Sequence, residues 1–383
     1  MEATLEREAP AAEKAAISLI HLQHALATVA PAIPTGNATI PVLKSVRIEQ
    51  LSEGLAFEST DLTLAIRALS PLSCGLQKPI VIPAERLINL AKLLQGQEVR
   101  ITATAARATL KCGRNTASFP LMSASLWPDN RNLFRAEGVG VTFRQQDLAR
   151  ALKFASICIG AEERYTLNGV LMQGDGKNVR FVSTDGNRMM IYTINSAEKV
   201  DATLIPQRLV KALTPMLSGD DGVNIAADEK LIVASIPAET PVFVSTKRIV
   251  GKFPQWEAAV PKNPQAEVTV NAKEFLLCLE RAVLLGNDET KAVALTFGEG
   301  AIKIESNDPQ AGEAQEFVDA NGTPENPFRT GVCATFLIQL LKKLDGEVKI
   351  AIPKEPGSAM LFKATPAENE TLAYIVMPMR LEK

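Results

Sequence analysis

The strongest constraint on this chain is that it says the same thing three times. Three segments share a landmark: Phe57-Glu58-Ser59-Thr60-Asp61, Phe181-Val182-Ser183-Thr184-Asp185 and Ile304-Glu305-Ser306-Asn307-Asp308. Their aspartates are almost equally spaced, and each is preceded at one fixed distance by a valine (Val46, Val170, Val293). Two alternating apolar runs with a turn between them join valine to aspartate. The middle copy reads Gly169-Val170-Leu171-Met172, Gly174-Asp175-Gly176, Val179-Arg180-Phe181-Val182, a hairpin pattern.

After each aspartate comes an apolar pair and then a run with apolar residues at helical spacing, opening at Pro83, Pro206 and Cys333. Proline in a helix's first turn loses no hydrogen bond, because that N–H has no partner in any case. A strand follows each run, at 99–102, 223–226 and 348–352. A short strand and a further helix precede each valine, starting near Ile17, Val141 and Val268. Each copy closes on an apolar–proline step: Phe119-Pro120, Phe253-Pro254, Met377-Pro378. One unit therefore reads β-α-β-β-β-α followed by more strands.

The fold class predicted is α+β, with three repeated domains of two helices packed on antiparallel sheets. The expected boundaries are 17–135, 136–262 and 263–383, with 1–16 a loose N-terminal extension. Pro128-Asp129-Asn130 and Pro261-Lys262-Asn263-Pro264 read as the linkers. Units of this size can each hold a core.

Composition agrees with folded domains: 46% of the 383 residues are hydrophobic and 22% charged. No apolar run is long enough to span a bilayer. The charged start, Met1-Glu2-Ala3-Thr4-Leu5-Glu6-Arg7-Glu8, lacks the apolar stretch of a secretory signal, so the expected location is cytoplasmic, with no membrane partner. Cys74, Cys112, Cys158, Cys278 and Cys333 are scattered and read as free thiols. The two histidines, His21 and His24, lie together, which leaves no pattern for a zinc site; no metal and no cofactor is expected.

Catalytic signatures are also missing: there is no phosphate-binding glycine loop, GxSxG or HExxH. Asp61, Asp185 and Asp308 recur at equivalent positions. Turn capping by the side chain explains such a recurrence better than acid–base chemistry, which stays the alternative. Net charge is −2, so the chain as a whole is no basic nucleic-acid binder. The helical segments taken together are nevertheless net positive and the remainder net negative.

The landmarks also carry a resemblance. Leu167-Asn168-Gly169-Val170-Leu171, Thr184-Asp185-Gly186-Asn187-Arg188, Gly251-Lys252-Phe253-Pro254, Ser306-Asn307-Asp308-Pro309 and Val376-Met377-Pro378-Met379-Arg380-Leu381 resemble signatures of the bacterial DNA sliding clamps, the beta subunits of DNA polymerase III. It runs from about Ile17 to Leu381 and is weakest in the first third. It implies a head-to-tail homodimer whose six clamp-type domains close a ring around double-stranded DNA, bound without sequence preference. The implied partners are a clamp loader, the polymerase catalytic subunit and other proteins bearing a clamp-binding motif.

Carried over position by position, the resemblance implies a peptide-docking pocket of Leu167, Thr184, Gly186, Arg188, Met189, Pro254, Phe336, Val376, Met377, Pro378 and Met379. It implies DNA-facing Arg86, Lys92, Arg150, Lys153, Tyr165, Arg208, Lys211, Lys342 and Lys343. It sets Leu90 and Leu94 against Leu284 and Leu285 of the other chain. The departures are local. Thr39-Ile40-Pro41 lacks a basic residue, Thr166 replaces an aromatic, Asn187 a histidine, Ala258 a basic residue and Cys333 an asparagine; Glu382-Lys383 extends the end. Acidic peptide residues near Asn187 and Ala258 are therefore expected to matter less than in other clamps. The function implied is that of a non-catalytic processivity clamp. The alternative is a specialised paralogue, or a clamp-fold peptide scaffold that is not the main replication clamp.

Overall fold

The computed structural model describes residues 15–36, 39–71, 76–129, 133–138, 140–161 and 165–380. The extension 1–14, Asn37, Ala38, Cys74, Asn130, 381–383 and the side chain of Tyr165 lie outside the described residues.

The first copy comprises β1 (Ala15–Ser18), α1 (Leu19–Val29), β2 (Ser45–Leu51), β3 (Gly54–Thr60), β4 (Leu64–Ser70), β5 (Ile80–Pro83), α2 (Ala84–Leu93), β6 (Glu98–Ala103), β7 (Arg107–Cys112) and β8 (Asn115–Pro120). The second has β9 (Val141–Arg144), α3 (Gln145–Ala155), β10 (Gly169–Asp175), β11 (Asn178–Thr184), β12 (Arg188–Asn195), β13 (Lys199–Pro206), α4 (Gln207–Leu213), β14 (Gly222–Ala227), β15 (Leu231–Ile236) and β16 (Val242–Lys247). The third has β17 (Ala266–Asn271), α5 (Ala272–Val283), β18 (Ala292–Gly298), β19 (Ala301–Asp308), β20 (Gly312–Asn321), β21 (Phe328–Cys333), α6 (Ala334–Leu341), β22 (Glu347–Ile352), β23 (Met360–Ala364) and β24 (Glu370–Val376).

Every copy is thus β-α-β-β-β-β-α-β-β-β, one strand more between its helices than the sequence pattern predicts. The strand before each second helix (β5, β13, β21) runs into it with no intervening loop, where the sequence showed only an apolar pair. All pairings are antiparallel, as the α+β reading requires.

Contacts divide the chain into two compact units, Met1–Gln146 with Lys211–Arg248 and Asp147–Val210 with Ile249–Lys383; the division falls within the second copy. In the first unit β5-β2-β3-β4-β16-β15-β14-β9 form one sheet and β1-β6-β7-β8 another. In the second unit a twelve-stranded sheet runs β13-β10-β11-β12-β24-β23-β22-β17-β20-β19-β18-β21. The strand closing the second copy, β16, pairs with β4 of the first, and β24 of the third pairs with β12 of the second. The equivalent strands β8 and β20 have no such neighbour: β8 ends its sheet, and β20 meets β17 only through Ala320 and Asn321.

The shared landmark has a structural basis. Ser59, Ser183 and Ser306 donate their hydroxyls to the carbonyls of Val29, Ala155 and Ala282, at the ends of α1, α3 and α5. Helix-terminal carbonyls lack the usual intrahelical partner, so each serine adds a bond at such a carbonyl; that of Ala282 also accepts from Leu285 N. The aspartate two residues later caps the adjoining turn. Its Oδ1 accepts from Thr63 and Leu64, from Asn187 and Arg188, or from Gln310 and Ala311, with N···O distances between 2.8 and 3.1 Å. The backbone N–H groups of Gln310 and Ala311 hold the Asp308 carboxyl below its ordinary value.

Candidate functional site

The expected docking residues gather at the turn between β11 and β12. Thr184 ends β11, its hydroxyl donating to the Arg188 carbonyl at 2.7 Å and accepting from Gly186 N at 3.1 Å. Gly186 adopts φ +95°, a left-handed conformation that favours glycine. Arg188 opens β12, with its Nε on Asp185 at 2.9 Å and its Nη1 on Gln339 at 2.7 Å. Its guanidinium stacks 4.2 Å from the Phe336 ring centroid, and Tyr374 fixes that segment by donating to the Phe336 carbonyl at 2.9 Å. Arg188 is therefore a rigid platform held from three sides. Tyr374 and Gln339 are the supports that sequence reasoning missed, because only β12–β24 pairing and α6 bring them to Arg188; Asp185 lies on the same turn.

The C-terminal strand closes this corner. Met377 N donates to the Asn187 carbonyl at 2.9 Å, and Met379 N to the Gly331 carbonyl at 2.8 Å. Met377 is 49% exposed, whereas Val376 and Met189 are buried. The latter two therefore back the site rather than line it. Leu167 is held by the Gly160–Leu167 backbone bond (2.9 Å), where Gly160 also approaches the Thr184 carbonyl. Cys333 opens α6 without a side-chain cap, while Asn271 caps α5 by accepting from Lys273 and Glu274.

Pairing registers explain the site's floor. Met189 lies opposite Ile375, Ile375 opposite Leu361, and Leu361 opposite Ala351. With Leu171, Val182, Ile191 and Leu204 they form one apolar stripe across neighbouring strands, against which Phe253, Trp256 and Val260 pack. That places Pro254 beside the stripe. The same segment borders an open cleft of about 620 Å³, reached by Ala258, Met377 and Leu361. Lys262, Lys354 and Lys363 also line it; none of the three had been singled out from the sequence as a docking residue.

The expected DNA-facing cations are mostly exposed: Arg86 and Lys92 on α2, Lys153 on α3, Arg208 and Lys211 on α4, and Lys342 beyond α6. Lys343 is half-buried; burial, and secondarily the charge of Lys153, holds its ammonium below the ordinary lysine value. Those two cations are thus near enough to repel. Arg150 differs. Its Nε and Nη2 bind the two oxygens of Glu370 at 2.9 and 2.8 Å, and Nη2 also meets Asp147 at 2.5 Å. Glu370 is 2% exposed and accepts from the Tyr192 hydroxyl as well. The Arg150 charge is compensated inside the protein, which removes it from the cations available to phosphate. Of the expected interface residues, Leu284 (76%) and Leu285 (38%) are exposed, as are nearby Leu277 and Phe317; on α2, Leu90 and Leu94 are half-buried and Leu93 is the exposed one.

The first unit repeats the turn with a larger residue at its tip. Thr60 bonds the Leu64 carbonyl and Leu62 N as Thr184 does its own turn, yet Leu62 replaces glycine at φ +74°. Between Leu62, Leu133, Leu231 and Lys247 only about 10 Å³ is left.

Among the described residues no cluster of metal-ligating side chains occurs, and no helix is long and apolar enough to cross a membrane.

Three family models match the chain in order: the N-terminal domain of the DNA polymerase III beta subunit over 14–130, the central domain over 142–255 and the C-terminal domain over 257–380. The beta sliding clamp of Escherichia coli (strain K12) is 26% identical over 359 residues, covering 90% of this chain and 94% of that protein. The beta sliding clamp of Proteus mirabilis is 27% identical over 355 residues, at 90% and 94% coverage. A crystal structure of the DNA polymerase sliding clamp from Pseudomonas aeruginosa with ligand superimposes with TM-score 0.86 at 25% identity, covering 96% of this chain and all of that one. The DNA polymerase III subunit beta from the same species superimposes with TM-score 0.88 at 23% identity, with the same coverage, which speaks for the fold.

Proposed function

The chain belongs to the DNA polymerase III beta subunit family, and from that premise we propose that it acts as a DNA sliding clamp, a non-catalytic processivity factor that encircles duplex DNA in the cytoplasm, at the nucleoid. The clamp domains are 17–135, 136–262 and 263–383. The observation that carries the ring is the unequal pairing of equivalent strands in the three copies. Two of three joints are made inside the chain, by β16 on β4 and β24 on β12, leaving β8 at the end of its sheet and β20 paired on one side only by Ala320 and Asn321. A second copy placed head to tail supplies both missing partners, and such a contact closes when two chains complete six domains. Exposed Leu277, Leu284, Leu285 and Phe317 on α5 and β20 supply the apolar surface, with Leu90, Leu93 and Leu94 of the other chain facing them.

Lys153, Lys343, Arg208, Lys211, Arg86, Lys92 and Lys342 attract phosphates from the inside of the ring without reading bases. The corner of Thr184, Gly186, Arg188, Phe336 and Met377–Met379 takes a short apolar motif of the polymerase, the clamp loader and other partners. Arg188 and its supports pre-form that corner, so little ordering is needed on binding.

The test is retention on DNA. Loaded by a clamp loader, the protein should stay on nicked circular plasmid in high salt and leave when the plasmid is linearised, because a ring is held by topology. Equal loss from circle and line would refute encirclement and favour a peptide-binding scaffold. Deleting 376–383 should abolish binding of a motif peptide and leave the dimer intact.

A further inference from the structure

The docking corner opens onto the 620 Å³ cleft, and the two share Met377. The floor of the cleft is the apolar stripe itself, continued through Leu361 (6% exposed) and Ala351 (3%). Its rim is different in kind. Lys262 follows the Trp256–Val260 segment, Lys354 stands on the loop after β22, and Lys363 is on β23, two residues from Leu361 and hence on the same face. Lys363 is paired with Glu267 at 2.9 Å. Lys262 and Lys354 are exposed and, among the described residues, neither has a carboxylate within 4.0 Å. One acid, Glu355, also lines the cleft. An apolar floor beneath a net basic rim, continuous with a peptide-docking corner, has a definite complement.

We infer that this cleft receives the residues flanking a partner's docking motif, and that Lys262 and Lys354 select partners whose flanks are acidic. The inference rests on the docking reading above. It reverses the expectation raised by Asn187 and Ala258: the positive charge lost at those positions is supplied from Lys262, four residues further on, and from Lys354 across the cleft. The lysines are solvated, so they act through long-range attraction that salt weakens, raising capture rate and discrimination more than raw affinity.

The experiment uses the full-length chain and three fluorescein-labelled peptides with one apolar core, flanked on both sides by Asp/Glu, Asn/Gln or Lys residues. By anisotropy in low salt, the acidic-flank peptide should bind about five- to tenfold more tightly than the neutral one, a preference that fades as salt rises. In the double variant Lys262→Glu/Lys354→Glu the ratio of acidic-peptide to neutral-peptide affinity should fall to one or below. The milder pair Lys262→Gln/Lys354→Gln should abolish the preference too. Equal affinity of acidic and neutral peptides for the parent, or a preference that survives both double variants, overturns the inference. Failure of all three peptides to bind overturns the docking reading instead.

Discussion

Replacing Arg150 by methionine should destabilise the second unit more than any single exposed-charge change. Methionine keeps the apolar stem and removes the guanidinium. Glu370, 2% exposed, then keeps only the Tyr192 hydroxyl of its three donating contacts. Breaking a buried pair from one side typically costs about 3–5 kcal/mol, because the surviving charge stays desolvated. The Arg150 side chain is 32% exposed, so water reaches the vacated place and the lower end, about 3 kcal/mol, is expected. Glu370→Gln should cost less, about 1.5–2 kcal/mol, since Arg150 keeps Asp147 and partial hydration. The two changes together should cost less than their sum by about 1.5 kcal/mol. Urea unfolding in a Trp127→Phe background, followed by Trp256 fluorescence and by hydrogen exchange in β12 and β24, reads the second unit alone. A loss under about 1 kcal/mol for Arg150→Met, the range of exposed pairs, would refute the reasoning, as would a coupling of zero.

Replacing Leu284 and Leu285 with aspartate should convert a dimer of 41.2 kDa chains into monomers, seen as a halved mass in native mass spectrometry, because buried unpaired carboxylates oppose association. A dimer that persists would show that the interface lies elsewhere. Lys153→Ala should raise the Lys343 titration midpoint by removing a like charge, measured by NMR of the Lys343 Cε carbon; burial, the larger cause of the depression, would remain. Because that lysine titrates lower folded than unfolded, it binds fewer protons when folded across the interval between the two values, so its contribution to stability should rise with pH there. Cys333→Asn should stabilise α6 by about 0.5–1 kcal/mol, since asparagine can cap Thr335 and Phe336 N–H groups as Asn271 caps its own helix; an unchanged urea midpoint would mean those groups are already satisfied.

The repeat was legible because its landmarks have local causes. The serine finishes a helix and the aspartate caps a turn, so both are readable in one dimension, and the α+β class followed from them. The strand before each second helix showed in sequence only as an apolar pair, because β5, β13 and β21 pass into their helices without a loop to mark the boundary. Site residues resolved by kind. Thr184, Gly186 and Arg188 sit on one turn and could be found together. The partners of Arg188 and Arg150, namely Tyr374, Gln339 and Glu370, come from distant strands and helices; only pairing register brings them in, and no spacing rule encodes it. Arg150 looked like any basic helix residue, since nothing within one helical turn except Asp147 shows that its charge is answered. The lysine rim was invisible for a related reason: Lys262 and Lys354 are far apart in sequence, and each alone is an ordinary surface residue.

Leu62 has a consequence for stoichiometry. The repeat builds the same turn at two joints of each chain, and by itself would offer a seat at both. At the first turn a leucine, 41% exposed, holds a conformation usual for glycine and carries a side chain where Gly186 has none at the second. On the clamp function proposed above, a closed ring of two chains would offer two berths rather than four, one per chain. A polymerase on one berth would then leave a single place for another partner, and exchange between enzymes on the same DNA would be a contest for one vacancy.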